Sequence, residues 1–307
     1  MAVRQFTLKN GIGNTISLND LDYFGYEPEG LGISFSNEFY GANANFLLQS
    51  SGIEMNQFSI NILFGAVSGN PYTKYRELIS FLNYQPLYLI YNIPQVGIYE
   101  REVMLSELPK SEIGEYNVIA ETLTLECLTP WYQWEIYENK PSQKPNGEGK
   151  IYYTDYNEPY SNNYQSGSYI YPYIYAPNMD VNRNYVNINN DSLYLGSADY
   201  SPIEITINSG ENIIENPSWE LLVDGEIVQN DRYLITMETG TTLIVSSEPQ
   251  NQRAIYIGVD GKAVNIYSSQ DMGKTNFVTA PIGSSTLRFE GIDDGFRVRV
   301  RKEYVVL

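Results

Sequence analysis

The feature that most constrains the fold of this chain is a regular succession of short strand-like segments. Runs of β-branched and aromatic residues recur along most of its 307 residues, each bounded by Gly, Pro, Asn or Asp. In the second half these runs follow one another at spacings of about ten residues, as in all-β sandwiches and barrels. Asp224-Gly225 and Asp260-Gly261 each lie between two alternating segments, the strongest short-range signal for a β-hairpin. The sequence therefore predicts a mainly β protein.

One segment, "NPYTKYRELISFLNY", has a helical pattern instead. Asn70 can accept hydrogen bonds from the free amides of a first helical turn, and Pro71 suits the first helical position because its missing N–H is not needed there. Asn83 and Pro86 mark the end. The sequence predicts one helix that packs on a sheet through an apolar stripe. The stripe consists of Tyr75, Leu78, Ile79 and Leu82.

The charge balance excludes two classes of partner. The formal net charge is −18, with 37 acidic and 19 basic residues. Binding to nucleic acid or to an anionic membrane surface needs clustered Lys and Arg, so neither is expected. The first residues lack the apolar core of a signal peptide, and no run of about eighteen apolar residues is present. The chain is therefore expected to be made and used without Sec export.

The residues that most catalytic and metal sites need are scarce. The chain has no histidine, which removes imidazole acid–base catalysis and the commonest metal ligand. No phosphate-binding loop, dinucleotide fingerprint or paired CxxC is present, and no spacing singles out two carboxylates as a glycosidase pair. The lone Cys127 alternates with Leu123 and Leu125, which indicates a buried strand thiol rather than a nucleophile. We expect no enzyme activity, no cofactor and no metal.

The stretch "DVNRNYVNINND" imitates a calcium-binding loop. It offers Asp180, Asn182, Asn184 and Asp191 at positions 1, 3, 5 and 12. Position 6, which should be glycine for the sharp turn, is Tyr185, and the last position should be a bidentate Glu. The favoured interpretation is an Asn-rich loop that caps its own backbone.

A domain boundary is expected at "ENKPSQKPNGEGK", residues 138–150, which is rich in Pro, Gly and polar residues. The segment that follows, residues 151–177, holds nine tyrosines in twenty-seven positions. Stacking on nucleic acid needs a cationic groove, yet no basic residue occurs between Lys150 and Arg183. Docking against protein is favoured, with packing inside a domain and contact with sugar left open. The candidate docking residues are Tyr160, Tyr164, Tyr169, Tyr171, Tyr173 and Tyr175.

The last segment, "FRVRVRKEYVVL", alternates between apolar and basic residues. A lone terminal strand would expose both edges, so it must pair with a sheet, and we expect it to return to the first domain and close it. The opposite face carries Arg297, Arg299 and Arg301. Their expected partners are acidic groups of the same or a neighbouring subunit rather than DNA.

Several stretches resemble the distal tail proteins of siphophages that infect Gram-positive bacteria, especially the lactococcal baseplate type. "FLLQSSGIEMNQFSINILFG", "YTKYRELISFLN" and "PLYLIY" resemble the ring-forming core of that family. "AETLTLECLTPWYQWEIYE" resembles its last strand before the second domain, with Trp131 and Tyr132 at the exit, and "RVRVRKEY" resembles its terminal strand. The stretches that begin "INNDSLYLGSADYSPIEITINSG" and "NIYSSQDMGKTNFVTAPIG" resemble its galectin-like domain.

The resemblance implies a fold and a domain plan. The first domain, residues 1–140, would be a ring-forming β-sandwich or split barrel with one α-helix, completed by the strand 292–307. Residues 141–178 would form a linker and the Tyr-rich arm. Residues 179–291 would form a galectin-like β-sandwich of jelly-roll type.

The resemblance also implies a structural role in the virion. The chain would assemble in the host cytoplasm into a homohexameric ring, single or stacked in pairs, at the tail tip. Its partners would be the tail tube protein, a tail-tip protein, and a receptor-binding or accessory baseplate protein, while the genome passes through the channel without specific binding. The alternative is an adhesin module that binds a host glycan.

Overall fold

The structure is a computed structural model that describes residues 4–32, 34–42, 45–54, 56–65, 70–114, 118–138, 184–193, 200–249, 251–292, 295–305 and 307. Its elements are twenty-two strands, one α-helix and one 3-10 turn within these ranges, which confirms the prediction of a mainly β protein. The chain divides into two compact units. Unit 1 comprises the described residues within 1–134, 191–199 and 301–307, and unit 2 those within 135–190 and 200–300.

Unit 1 is built on one antiparallel sheet in the order β3-β6-β9-β8-β7-β1-β2. Between its two end strands the described residues contain an isolated bridge, Asn19 to Phe24, but no ladder, so the sheet is not closed. The elements are β1 (Gln5–Lys9), β2 (Thr15–Ser17), β3 (Tyr23–Glu29), β4 (Phe35–Ala42), β5 (Asn45–Ile53), β6 (Gln57–Phe64), α1 (Pro71–Leu82), β7 (Leu87–Ile93), β8 (Gly97–Glu107) and β9 (Ile119–Cys127).

The core of unit 1 follows from period-two alternation. In β6 every second side chain is fully buried, and β9 pairs with it along its whole length. Helix α1 packs Leu78, Phe81 and Leu82 into the same core. Its N-terminus is capped as predicted, because the Asn70 side chain accepts a hydrogen bond from the Tyr72 amide at 2.9 Å. Cys127 is buried at the end of β9, as the sequence predicts.

Unit 2 is a sandwich of two sheets that share one core. Strand β12 pairs with β17, β20 and the terminal strand β22 (Phe296–Tyr304), and β17 continues to β18 and β19. The second sheet has the order β11-β21-β14-β15. The elements are β11 (Tyr185–Asn190), β12 (Tyr200–Asn208), β13 (Ile214–Glu215), β14 (Ser218–Val223), β15 (Glu226–Arg232), β16 (Thr236–Met237), β17 (Thr242–Ser246), β18 (Arg253–Ile257), β19 (Ala263–Asn265), the 3-10 turn Tyr267–Ser269, β20 (Thr279–Pro281) and β21 (Gly283–Glu290).

Both hairpins predicted for this region are confirmed. Strands β14 and β15 pair around Asp224-Gly225, where both residues have positive φ, 52° and 84°, as the two central residues of a tight hairpin turn require. Strands β18 and β19 pair around the loop that contains Asp260-Gly261. The core between the two sheets is centred on Trp219, which packs with Tyr233 and Phe289 at ring-centroid distances of 5.8 and 6.2 Å.

Two strands have residues in both units: β10 (Trp131–Glu138) and β22 (Phe296–Tyr304). Residues 296–300 of β22 pair with β12 of unit 2, and residues 301–307 belong to unit 1. The prediction that 292–307 as a whole completes the first domain therefore differs from the observed division. The reason is the apolar face of the strand: Phe296, Val298 and Val300 are buried in the core of unit 2.

The predicted Asn-rich loop is wrong for residues 185–190, which form strand β11. Val186, Ile188 and Asn190 face inward and are buried, while Asn187 and Asn189 are exposed, so the segment follows the period of a strand. Residues 180–183 of the calcium-like stretch lie outside the described residues. The predicted boundaries at 140/141 and 178/179 also lie there, and they stay predictions.

Candidate assembly interface

The most exposed apolar surface of unit 1 is the hairpin of β4 and β5. Its register runs from Phe35 opposite Ile53 to Ala42 opposite Asn45, with one bulge between Glu38 and Phe39. Polar cross-strand contacts hold its base: Ser50 Oγ donates to Glu38 Oε2 at 3.0 Å, and Ser51 Oγ donates to Asn37 Oδ1 at 2.6 Å. These two strands form a sheet of their own. The hairpin therefore leaves two strand edges without a neighbouring strand among the described residues.

The tip half of this hairpin carries large apolar side chains on both faces. Phe39 lies opposite Leu48, and the Phe46 ring covers Gly41, where a Cβ would stand 3.8 Å from the ring. Tyr40 and Leu47 pair on the other face. Phe46 is 78% exposed, and the others are all more than half exposed. Large contiguous apolar surfaces are uncommon on soluble monomers and mark interaction sites.

The low stability expected of an isolated hairpin also favours its burial against another chain. A two-stranded hairpin is marginally stable in water because it buries no core, and its free edges can pair with another chain. Each large apolar side chain that becomes fully buried gains roughly 1.5–3 kcal/mol. Five such side chains on one hairpin can thus supply most of the favourable free energy of a protein–protein contact. We call this surface, made of Phe39, Tyr40, Phe46, Leu47 and Leu48, the hairpin surface.

The three arginines predicted for the terminal strand each contact a carboxylate of the same chain. Arg297 Nε lies 3.4 Å from Glu138 Oε1, and both side chains are nearly half exposed. Arg299 Nη1 lies 2.8 Å from Glu204 Oε1. Glu204 also accepts from Arg253 Nη2 at 2.8 Å, so one nearly buried carboxylate joins two guanidinium groups.

The end of the terminal strand is fixed within unit 1. The buried Arg301 donates from Nε to Glu303 Oε1 at 2.7 Å and stacks on the Tyr132 ring at 5.1 Å. The backbone at Glu303 and Val305 bonds to the segment 192–193. Lys302 Nζ lies 2.9 Å from Asp191 Oδ1, and this hydrogen bond lowers the pKa of Asp191. Burial raises the pKa of Tyr304 to about 12.

The predicted docking tyrosines, Tyr160 to Tyr175, all lie outside the described residues, and their role stays a prediction. The sequence did not single out the hairpin surface. The available signal was "NEFYGANANFLLQS", in which two apolar clusters flank a turn-forming Gly-Ala-Asn-Ala-Asn run. That pattern also fits a strand buried on both faces, so it does not reveal the exposure of these side chains.

The described residues hold no group of three or more Cys, Asp or Glu side chains placed to bind a metal ion. In the same part of the chain, no helix is long and apolar enough to cross a membrane.

An apolar hairpin that extends from an otherwise well-packed β unit is typical of a subunit built for assembly. Comparison with known proteins agrees: residues 5–128 match the family profile described as "Distal tail protein, N-terminal domain". Residues 5–128 therefore form an N-terminal domain of the distal tail protein family. No curated protein sequence matches it significantly.

Two solved structures share the fold over essentially the whole chain. One is a chain of the phage P2 baseplate in its activated conformation with Ca, with 15% identity, a TM-score of 0.68 and coverage of 100% of both chains. The other is the SPP1 Dit (gp 19.1) protein, described as a paradigm of the hub adsorption apparatus in phages that infect Gram-positive bacteria. It is 10% identical, with a TM-score of 0.59 and coverage of 97% of this chain and 98% of that chain.

Proposed function

We propose that this protein forms a homohexameric ring, single or stacked in pairs, that joins the tail tube protein to the tail tip. The observation that carries the proposal is the hairpin surface. A closed ring needs a heterologous interface, in which one patch of each subunit meets a different patch of the next. A projecting apolar hairpin with free strand edges is suited to be one of these two patches, because the sheet of the neighbouring subunit can cover it.

The charges support a channel that the genome crosses without binding. Six copies of a chain of net charge −18 carry a formal charge of −108. The arginines of the terminal strand are ion-paired within the chain, which leaves less of their charge for phosphate. An acidic ring repels DNA rather than holding it.

The remaining partners follow from this position in the virion. A hub at the tail tip contacts a tail-tip protein along its axis and receptor-binding or accessory baseplate proteins at its periphery. The tyrosines of 160–175 are our candidates for peripheral docking, since tyrosine gives a large rigid contact area at small entropic cost. The ring would assemble in the host cytoplasm, and its role requires no catalysis.

Light scattering coupled to size-exclusion chromatography tests the proposal on the full chain. The chain mass is 35.0 kDa, so a hexamer gives about 210 kDa and a pair of stacked rings about twice that value. A discrete mass at either value, stable over a tenfold dilution, is the expected result. A monomer at all concentrations contradicts the proposal.

A further inference from the structure

The outer face of the four-stranded sheet in unit 2 carries a groove of about 760 Å³. Strands β11 and β21 form its floor, and the turn at Asp224-Gly225 forms part of its wall. This volume lies within the range of sites that hold small-molecule ligands, roughly 300–1,000 Å³. The hairpin surface belongs to unit 1 and is separate from this groove.

The strand register arranges the groove side chains in rows. Tyr185 lies opposite Arg288, and Asn187 lies opposite Thr286. Asn189 lies opposite Ser284. On the other side of β21, Leu222 of β14 pairs with Thr286, so the row of Asn187 and Thr286 extends to a third strand. Neighbouring strands lie about 4.8 Å apart, so the polar groups within one row are spaced like two non-adjacent hydroxyl groups on one hexose ring.

Several polar groups in these rows are free to bind a ligand. Asn187 Oδ1 accepts from Thr286 Oγ1 at 3.0 Å, which orients the amide and leaves both of its N–H groups to donate. The side chains of Asn189 and Ser284 have no hydrogen-bond partner in the part of the chain that the structure describes. Together the floor presents amide donors, amide acceptors and hydroxyl groups, a set that matches a ligand rich in hydroxyl groups.

The charges in the groove favour a neutral ligand. Arg288 Nη2 lies 2.5 Å from Glu220 Oε2, so its positive charge is compensated inside the sheet. Asp224 adds a negative charge at the rim, for which the structure describes no ion pair. An anionic ligand would meet net repulsion, whereas the hydrogen-bonding groups remain available to uncharged hydroxyls.

Apolar surface is also available next to these polar groups. Tyr185 is the first residue of β11, and Leu222 lies on β14 opposite Thr286. Both side chains are half-buried. A hexose has one face made of C–H groups, which packs against an aromatic ring or an aliphatic side chain while its hydroxyls reach polar neighbours. The combination of one aromatic residue with several convergent amides is what such a ligand needs.

We propose that this groove binds a neutral oligosaccharide, with Asn187 and Asn189 as its principal hydrogen-bonding residues. The binding site goes beyond the ring-forming role, and it gives a specific location to contact between the tail tip and a glycan of the host surface. It does not depend on ring formation, since every residue that carries it belongs to unit 2.

The test is binding of the full chain to an array of neutral oligosaccharides built from glucose, galactose, rhamnose and N-acetylhexosamine, followed by calorimetric titration of the best ligand. The expected result is selective binding that Asn187→Ala weakens about tenfold, which corresponds to about 1.4 kcal/mol. Asn189→Ala is expected to weaken binding to a similar extent.

Asn208→Ala is the matched control, because Asn208 Oδ1 accepts from Thr242 Oγ1 at 2.8 Å on the other sheet, outside the groove. It should bind the saccharide as tightly as the unmodified chain. Three results would overturn the proposal: no saccharide bound at millimolar concentration, equal binding by Asn187→Ala and Asn208→Ala, or preferential binding of an anionic polymer such as polyglycerol phosphate. The mass of the particle, measured in parallel, reports separately on the ring.

Discussion

The hairpin surface of unit 1 and the groove face of unit 2 are both built from antiparallel strands, yet they present opposite chemistry. The hairpin exposes Phe46 and Leu48, and its strand edges have no neighbour among the described residues. The groove face exposes Asn187 and Asn189, and its sheet covers a packed core. Binding at the first surface is driven by the removal of apolar side chains from water. Binding at the second surface replaces hydrogen bonds to water with hydrogen bonds to the ligand. A protein partner suits the former and a hydrated ligand the latter.

The largest expected effect comes from placing charge on the hairpin surface. The double substitution Phe46→Asp with Leu48→Asp leaves two carboxylates in any interface that covers this surface, so assembly should be lost. We expect the dissociation concentration to rise at least about a hundredfold, which equals about 2.7 kcal/mol. Light scattering over a dilution series measures it.

Met272→Asp is the control for this experiment, since Met272 is 81% exposed but lies in unit 2. It should leave the mass of the particle unchanged. The thermal midpoint of the double variant, measured below the dissociation concentration, should match that of the unmodified chain, because the replaced side chains are exposed. A double variant that assembles normally would remove the hairpin surface from the interface.

Sequence patterns are sufficient to predict features that depend only on neighbouring residues. The α1 helix was predicted from Asn70, Pro71 and an apolar stripe because capping and periodicity are local properties. The tight turn at Asp224-Gly225 was likewise predicted from two residues, since few others adopt positive φ at so little cost. Phe81, buried but absent from the predicted stripe, shows that the width of a helical face depends on what packs against it.

Non-local features could not be predicted in this way. The alternation of β22 determines which of its side chains share a face, but not which sheet packs against that face. The sequence therefore predicts pairing with the first domain alone, whereas residues 296–300 pair with β12 of unit 2. The apolar residues of β4 and β5 indicate strands, but their exposure depends on the absence of a covering layer. The sequence predicts a loop at Asn187 and Asn189 because Val186 and Ile188, which alternate with them, give only a short strand signal.

A second difference lies beneath the two surfaces, because the sheet with the groove covers a buried carboxylate. Asp231 pairs in register with Trp219, and burial raises its pKa to about 6. An acid with a raised pKa in the folded state contributes stability that is present below pH 4 and is lost as the pH rises to 6. The stability of Asp231→Asn relative to the unmodified chain should therefore increase by about 3 kcal/mol between pH 4 and 7.

Chemical denaturation at a series of pH values measures this difference. Asp260→Asn is the control, because its exposed carboxylate has a pKa lowered by Lys262 and should give a trend of the opposite sign. A flat difference between Asp231→Asn and the unmodified chain would show that Asp231 is solvated in the folded state.

A smaller effect is expected within the terminal strand, where the ion pairs differ in exposure. Arg299→Ala removes a guanidinium from the nearly buried Glu204 and should cost about 1–2 kcal/mol. Arg297→Ala breaks a pair that is nearly half exposed at both ends and should cost less than about 1 kcal/mol. Unfolding midpoints in denaturant compare the two variants. Equal losses would mean that burial of Glu204 adds nothing to the pair.

The smallest expected effect concerns Asp191, whose side chain is mostly exposed. Lys302 lowers its pKa, so the pair contributes stability that is present above the unfolded pKa and is lost as the pH falls through the folded value. Solvent screening keeps this contribution below about 0.5 kcal/mol. Asp191→Asn should destabilise the chain slightly at pH 7 and not at pH 2.5, with Asp224→Asn as the control. A loss that is equal at both pH values would exclude the ion pair as its source.

The most direct test of the account is the solvent accessibility of the hairpin surface in the assembled particle. The chain has one cysteine, the buried Cys127, whose pKa is raised by burial, so an exposed thiol introduced by Leu48→Cys can be labelled selectively. The predicted result is maleimide labelling at least about tenfold slower in the assembled particle than after dissociation by dilution, with Val259→Cys in unit 2 labelled equally fast in both states. Equal labelling of Leu48→Cys before and after dissociation would contradict the central claim that this hairpin is covered when the ring forms.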